Sequence, residues 1–536
     1  MNKFLAVDFG TTNTLLAAWD GENQAGYPLY LPEYSRIYEI QGEQIPVIPS
    51  LIHYSSQKRK WLGNQVLEKG LAKSDRTFRW MKRYINHRSP MYINIDGQSI
   101  TPFQAGQDFL TTILLFALQQ ISQTDRFNPS ELETAFCLPV EAFEHYENWL
   151  TGIAESVGIS RYRLIDEPSA AVLGYNAHIQ PGNVYMVLDI GGGTMHAAVI
   201  RIEEENTNSL ARKCRVLGKA GKDIGGSTID AWLFEEVLNR HHLTDSDQDV
   251  RPVSSAILVE CERVKESLTQ QQKSIFLVVD PQSGKTITTE FSREEFEVIL
   301  DHHNLFYDLD HTIRLALNSA REKGYDEDSI VSVFMVGGSS QIPSIQQTVR
   351  RIFGKERVYS SHPFDAVVRG AAAFIAGVDF FDYIQHDYAI RYINPQTSQH
   401  EYRTIIKRGT PYPSQAPLTT LTVKASYDGQ RQLGIAIFEI DPSRRNNPDK
   451  EFEIVFDPSG AARIMPVLPQ QHESRTYFWM NEHDPTFLKA DPPARKSEAR
   501  FEVEFWIDHN KRLTITVKDL FTGQLTHKNF PVVKLS

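Results

Sequence analysis

Cysteine is scarce in this chain of 536 residues: Cys137, Cys214 and Cys261 are all there is. The count is odd, the spacing is wide and no CxxC occurs, which argues against a disulfide framework or a zinc site and makes a reducing compartment the default. Long hydrophobic runs are also lacking. The longest, around Phe109 to Leu118, is too short to span a bilayer and reads as an amphipathic helix. The N-terminal apolar run is stopped by Asp8, too early for a signal peptide. There is no excess of basic charge. The net charge is -11, which argues against non-specific nucleic-acid binding and a basic membrane-surface role. A cytoplasmic location follows as the expectation. Low-complexity tails and a long C-terminal helical segment are missing too.

What is present is ordinary globular material, 41% hydrophobic and 23% charged, enough for more than one domain. Two segments echo each other. Phe4 to Gly21 reads FLAVDFGTTNTLLAAWDG, and Tyr185 to Ile202 reads YMVLDIGGGTMHAAVIRI. Each is an apolar strand, an Asp, a Gly/Thr turn and a second apolar strand, the pattern of a β-hairpin with a polar turn. A repeat at this distance suggests two similar lobes that each offer one turn to a shared cleft. Taken singly, either is equally well an ordinary hairpin. Helical apolar spacing marks 141–157, 228–240 and 256–268, and Pro343 opens a helix over 343–353. Mixed strands and helices up to residue 378 indicate an α/β region. From 388 to 536 short alternating runs take over (TTLTVKAS, LGIAIFEI, FEIVF, RFEVEFWI, RLTITVKD), which indicates an all-β sandwich, with 379–387 as connector.

The polar turns have the chemistry of a phosphate site. Backbone N–H groups approach phosphate closely only where glycine leaves room, hydroxyls help to coordinate oxygens, and carboxylates hold the water shell of a magnesium ion. Asp8, Gly10, Thr11, Thr12 and Asn13 form one such turn, and Asp189, Gly191, Gly192, Gly193 and Thr194 another. Neither is a Walker loop or a dinucleotide fingerprint. A third turn, Gly337-Gly338-Ser339-Ser340, follows the apolar run VSVFMV. A fourth, Gly225-Gly226-Ser227-Thr228, opens a helix, where amides favour anions. Any one Gly-Gly turn is weak evidence; four in this order are strong.

These segments resemble the actin-like ATPase superfamily. Asp8 to Thr12 is similar to its first phosphate motif, Asp189 to Thr194 to its second, Gly337 to Ser340 to its adenosine motif, and Ile165 to Ala171 and Val368 to Ala373 to its two connecting motifs. Small residues in the last two suit helices that cross closely at a hinge. Within the superfamily the chain resembles the seventy-kilodalton heat-shock chaperones of the DnaK type, through Lys82-Arg83-Tyr84-Ile85, the string Glu167 to Ala171, Cys261 to Lys265, Ile405 to Thr410 and Phe501 to Thr522. The resemblance implies an actin-like ATPase domain over 1–378, a linker over 379–387 and a substrate-binding β-sandwich over 388–536. It also implies ATP or ADP with Mg2+ and possible K+ as cofactors.

The roles it implies are as follows. Asp8 and Asp189 organise the metal. Thr11, Thr12 and Thr194 contact phosphates. Lys82 stabilises charge on the transferred phosphoryl group, and Glu167 positions the attacking water. Gly226, Gly337, Gly338 and Ser339 lie along the nucleotide, and Glu262 and Lys265 bond the ribose. Read without the resemblance, Lys82 is a solvated surface lysine, and Glu262 and Lys265 are a surface pair three apart on a helix.

The sequence departs from that pattern at four places. His196 stands where an aspartate is expected, which implies weaker binding of the metal or a monovalent cation. Glu266 and Gln341 replace two arginines that clamp adenine, and stacking of about 0.5–2 kcal/mol per contact translates into ATP binding weakened roughly tenfold to several hundredfold. Pro139 matches a relay proline, but Glu147 falls at its partner arginine. The stretch Arg391 to Arg403 is polar where apolar peptide-gripping loops are expected. No helical lid is expected after the last strands, which implies fast peptide exchange. The leading expectation is a chaperone that binds and slowly hydrolyses ATP and binds extended polypeptide, as a monomer, with J-domain or nucleotide-exchange co-chaperones as candidate partners. The alternatives are a pseudo-ATPase scaffold with one dedicated protein partner, then a small-molecule kinase or an actin-like filament protein.

Overall fold

A computed structural model of the chain describes residues 4–56, 58–124, 131–140, 144–175, 178–203, 213–377, 379–381, 384, 386–394, 397, 399–440, 452–466, 476–482, 485–508 and 511–535. The connector residues Asp382, Tyr383 and Gln385 lie outside them. Contacts divide the chain into two units. The first comprises 1–140, 149–381 and 451–466, and the second 141–148, 382–450 and 467–536.

The first unit is mixed α/β. Its seven-stranded sheet runs Arg161–Asp166, Glu133–Leu138, Phe4–Phe9, Asn13–Asp20, Glu43–Pro49, Arg36–Ile40, with Ala25–Pro28 paired to Asn13–Asp20. Its six-stranded sheet runs Val358–Tyr359, Ile330–Val336, Val184–Ile190, Met195–Ile202, Lys213–Lys222, Asp379–Phe381. Both echoing segments are hairpins. In each, the first strand pairs antiparallel with the second and parallel with a strand far downstream: Phe4–Phe9 with Glu133–Leu138, and Val184–Ile190 with Ile330–Val336. The parallel pairing buries both faces, which is why Val184–Ile190 is buried throughout and apolar at six of its seven positions.

Helices follow the spacing read from the sequence: Glu144–Ser156, Gly226–Arg240, Ser254–Gln270 and Pro343–Phe353. The apolar run at 109–118 lies in the helix Pro102–Thr124; Phe109, Leu110, Ile113 and Leu114 are buried while Leu115 is half exposed, so it is amphipathic. Among the described residues no helix is long and apolar enough to cross a membrane.

The helices Glu167–Gly174 and Ala366–Ile375 cross at backbone range. A Cβ on Gly370 would collide with the carbonyl of Ala170, and one on Gly174 with that of Ala366. The small residues in these two segments exist to permit that crossing, and Ala170, Ala171, Ala371 and Ala372 are buried in the core around it.

One hairpin sits away from its neighbours in sequence. Phe452–Phe456 and Ala462–Pro466 pair with each other and belong to the first unit, although the run FEIVF reads as part of the β region. The Ala462 amide donates to Ser254 Oγ (2.9 Å), the Ser255 hydroxyl donates to the Gly460 carbonyl (3.2 Å), and Arg463 pairs with Asp245 (3.0 Å). Phe456 meets Trp80 and Tyr84 with ring centroids 6.5 and 6.4 Å away. The hairpin thereby touches both the Lys82 helix, Met81–Asn86, and the helix Ser254–Gln270.

The second unit is built on antiparallel strands. One four-stranded sheet runs His400–Ile406, Asp387–Ile393, Ile437–Ile440, Tyr477–Trp479; another runs Thr419–Lys424, Ala499–Ile507, Arg512–Asp519, Leu525–Lys534; Gln430–Ile435 pairs with Thr486–Ala494. Strict alternation buries Phe501, Val503, Phe505 and Ile507 on one face against Leu513, Ile515 and Val517.

Candidate functional site

The two hairpin turns meet. A Cβ on Gly192 would come within 2.7 Å of the Thr12 side chain, so only glycine lets the second turn lie against the first. Between them opens a cleft of about 550 Å³, part of it open to solvent. It is lined by Asp8, Gly10, Thr11, Thr12, Asn13, Lys82, Glu167, Asp189, Gly191, Gly192, Gly193, Thr194, Gly337 and Gly338, with Leu15, Pro363, Phe364 and Val367 completing the wall. The first turn is braced from behind. The Ser50 hydroxyl donates to the Gly10 carbonyl (2.8 Å), and the Ser50 amide to the Thr12 carbonyl (2.8 Å).

Lys82 is not a solvated surface lysine. It is buried and forms an ion pair with buried Glu167, which caps the other side of the cleft from the start of the helix Glu167–Gly174. Asp8, Asp189 and Glu167 thus place three carboxylates around one ammonium group. Burial, followed by the Glu167 charge, pushes Asp8 up to about 7 against the opposing pull of Lys82. The same causes raise Asp189. His196 faces Asp189 across the hairpin, fully buried, with Nδ1 3.9 Å from Glu167 Oε2. Burial pushes its imidazole below the usual histidine range, and neither ring nitrogen has a hydrogen-bond partner among the described residues.

The remaining sequence candidates form the wall beyond the cleft. The Gly225-Gly226 turn packs on the second phosphate turn, and the amides of Gly226 and Ser227 donate to the carbonyls of Gly191 (3.0 Å) and Gly192 (2.7 Å). Those donors hold two turns together and do not point freely at an anion. Ser339 Oγ donates to the Gly191 carbonyl (2.9 Å). Lys265 pairs with fully buried Asp230 (2.8 Å) and donates to the Gly226 carbonyl (3.2 Å), while Glu262 lies 4.0 Å from Arg79. Glu262 and Lys265 are therefore not a simple surface pair. Glu266 is raised by burial and by neighbouring Glu262, and Gln341 bonds Ser340 (3.3 Å). Arg36, 4.4 Å over the Tyr38 ring, carries the positive charge that faces both Glu266 and Glu262.

Phe364 and Asp230 were not marked by the motifs, and Arg83 was marked without a role. Phe364 lines the cleft and stacks obliquely on Tyr38 with centroids 4.8 Å apart; its only signal is its position just ahead of the second connecting segment. Asp230 is one helical turn past the Gly225-Gly226 turn. Arg83, beside Lys82, donates to the hydroxyls of Ser227 (3.0 Å) and Thr228 (2.9 Å), so the Lys82 helix is tied to the start of Gly226–Arg240.

Hydroxyls, glycine backbone and three carboxylates gathered around one lysine, all facing one space, fit a phosphorylated ligand carried with a divalent cation. The fold and site define an α/β protein with a cleft of the nucleotide-phosphate kind. The model of the Hsp70 protein family matches residues 151–454, more than half of the chain, and the chain belongs to that family. Members of that family generally bind ATP or ADP with Mg2+ and unfolded polypeptide.

Proposed function

We propose that this protein is a molecular chaperone whose first unit, a two-lobed actin-like domain, binds and slowly hydrolyses ATP, and whose β unit binds extended polypeptide. One observation carries the reading: two glycine-threonine hairpin turns, 181 residues apart at Asp8 and Asp189, converge on one cleft with the buried Lys82–Glu167 pair. The matching strand order around each hairpin supports the two-lobed layout.

In this reading Asp8 and Asp189 would hold Mg2+ through its waters, with K+ as a possible second cation. When bound, the metal would supply positive charge against the phosphates. Thr11, Thr12, Asn13 and Thr194 bond phosphate oxygens. Lys82, already desolvated, stabilises negative charge as it develops on the transferred group. Glu167 would orient the attacking water. Gly226, Gly337, Gly338 and Ser339 border the nucleoside, and Glu262 and Lys265 reach the ribose. Clients would be unfolded chains; J-domain and nucleotide-exchange co-chaperones, a monomeric state and a cytoplasmic location complete the reading.

A second reading is a pseudo-ATPase scaffold that serves one protein partner. It is favoured by His196 in the metal cluster and by Glu266 and Gln341 in place of an adenine clamp. Single-turnover hydrolysis of ATP with Mg2+ and K+ decides between them. The chaperone reading expects slow turnover that Lys82→Ala lowers by about a hundredfold or more. No turnover, with no ATP bound at millimolar concentration, favours the scaffold.

A further inference from the structure

Glu167, Asp189 and His196 form a cluster whose ligand atoms lie within 4.8 Å of one another, with all three residues buried. Each has a geometry suited to a metal. Glu167 gives Oε1 to Lys82, which leaves Oε2 turned toward His196 Nδ1 at 3.9 Å. Asp189 sits opposite His196 in the hairpin register, so the two side chains share one face of the sheet. His196 has no exposed surface and no hydrogen-bond partner on either nitrogen among the described residues. A buried imidazole with two empty nitrogens is costly unless something takes them. A divalent ion between His196 and the two carboxylates would give one of the ring nitrogens a partner and bring positive charge to the two carboxylates.

An imidazole changes which ion that is. Magnesium prefers oxygen ligands and gives up water reluctantly, whereas first-row transition ions take imidazole nitrogen readily and rise in affinity along the series to copper. We propose that Glu167, Asp189 and His196 form a binding site for a first-row divalent transition ion, such as Mn2+, Co2+ or Zn2+, which this chain holds in preference to Mg2+ and without nucleotide. Ligands about 2.1 Å from one ion stand roughly 3–3.5 Å apart, so loading draws the three side chains together by about 1 Å. The site therefore couples ion binding to the relative position of the Asp189 hairpin and the Glu167 helix.

The test uses the full-length, nucleotide-free protein, so its outcome is independent of whether ATP is hydrolysed. Co2+ is titrated while visible absorption is recorded, and Mn2+ and Mg2+ affinities are measured by calorimetry. The expected result is one equivalent of Co2+ with a ligand-field band that is absent in His196→Ala, and Mn2+ bound about tenfold or more tighter than Mg2+. His196→Asp, with thermal melting to check that it is folded, should lose the Co2+ band and bring Mn2+ and Mg2+ affinities together. A Co2+ spectrum and stoichiometry unchanged in both variants, or Mg2+ bound as tightly as Mn2+ by the wild type, would overturn the proposal.

Discussion

Tyr84, two residues past Lys82 on the same helix, donates its hydroxyl to the backbone carbonyl of Ile454, 370 residues further along the chain, at 2.7 Å. Both residues are buried. Around this bond, Glu453 lies 3.8 Å from Arg83 and 3.7 Å from His87, whose other ring nitrogen is 3.2 Å from Asp223. On the far side of the hairpin, Arg251 pairs with Asp457 (3.0 Å). A strand pair taken from the β region of the sequence is thus fastened to the Lys82 helix and to the helix that carries Glu262 and Lys265.

Loosening the hairpin should loosen both helices together. Phe456 is 4% exposed, and Phe456→Ala should destabilise the first unit by about 3–5 kcal/mol through the cavity it leaves. Tyr84→Phe removes one hydrogen bond and should cost about 1 kcal/mol. Denaturant midpoints give the size. Hydrogen exchange gives the place: segments 81–86 and 254–270 should lose protection in both variants, while the strands Phe4–Phe9 and Val184–Ile190 retain theirs at low denaturant.

The crossing of the Glu167 and Ala366 helices tolerates no side chain at Gly370. Gly370→Ala pushes a methyl group into the Ala170 carbonyl and should cost about 1–3 kcal/mol by overpacking. It should also move Glu167 away from Lys82, so nucleotide turnover falls along with the melting temperature. Unchanged stability would mean the helices do not pack at this distance.

A carboxyl pair makes the second unit sensitive to pH. Burial, then the charge of Glu147, pushes Glu144 up to about 7 from an ordinary 4.5, and Glu147 is raised as well, with Lys534 3.6 Å away in partial compensation. Between pH 4.5 and 7 the folded state keeps a proton that the unfolded chain has released. Stability is therefore fully present below about pH 4.5 and declines as pH rises through 7, by on the order of 1–2 kcal/mol. Thermal melts from pH 5 to 8 should show the decline, and Glu144→Gln should flatten it.

The sequence carried the cleft more legibly than its walls. Asp8 to Asn13 and Asp189 to Thr194 announce themselves, because glycine, threonine and aspartate in a turn between apolar strands leave few other uses for that combination. The close helix crossing was legible in the small residues around Gly370 for the same reason: only a steric demand explains them. The hairpin at 452–466 was not. Alternation tells which side chains of FEIVF are buried but not what buries them, and its contacts lie more than 180 residues back in the chain. Phe364 and Asp230 were missed because an aromatic wall and a buried counter-ion have no spacing signature. The Lys82 and Lys265 partners likewise became visible only when distant helices were brought together.

Buried charge also supports the second unit. Arg500 has no exposed surface, pairs with Asp519 (2.9 Å) and donates to the carbonyls of Asp491 (3.0 Å) and Pro492 (2.9 Å). Arg500→Ala strands Asp519 and should cost about 3–5 kcal/mol, read as a lower denaturant midpoint for the β unit.

The most direct test of an ATP-driven chaperone is the affinity of the intact protein for a fluorescent unfolded peptide, measured by anisotropy in saturating ATP and in saturating ADP. Weaker binding and faster release are expected in ATP, by about fivefold to a hundredfold, the range typical of coupled sites. Equal affinities in the two nucleotides, with both demonstrably bound, would contradict it.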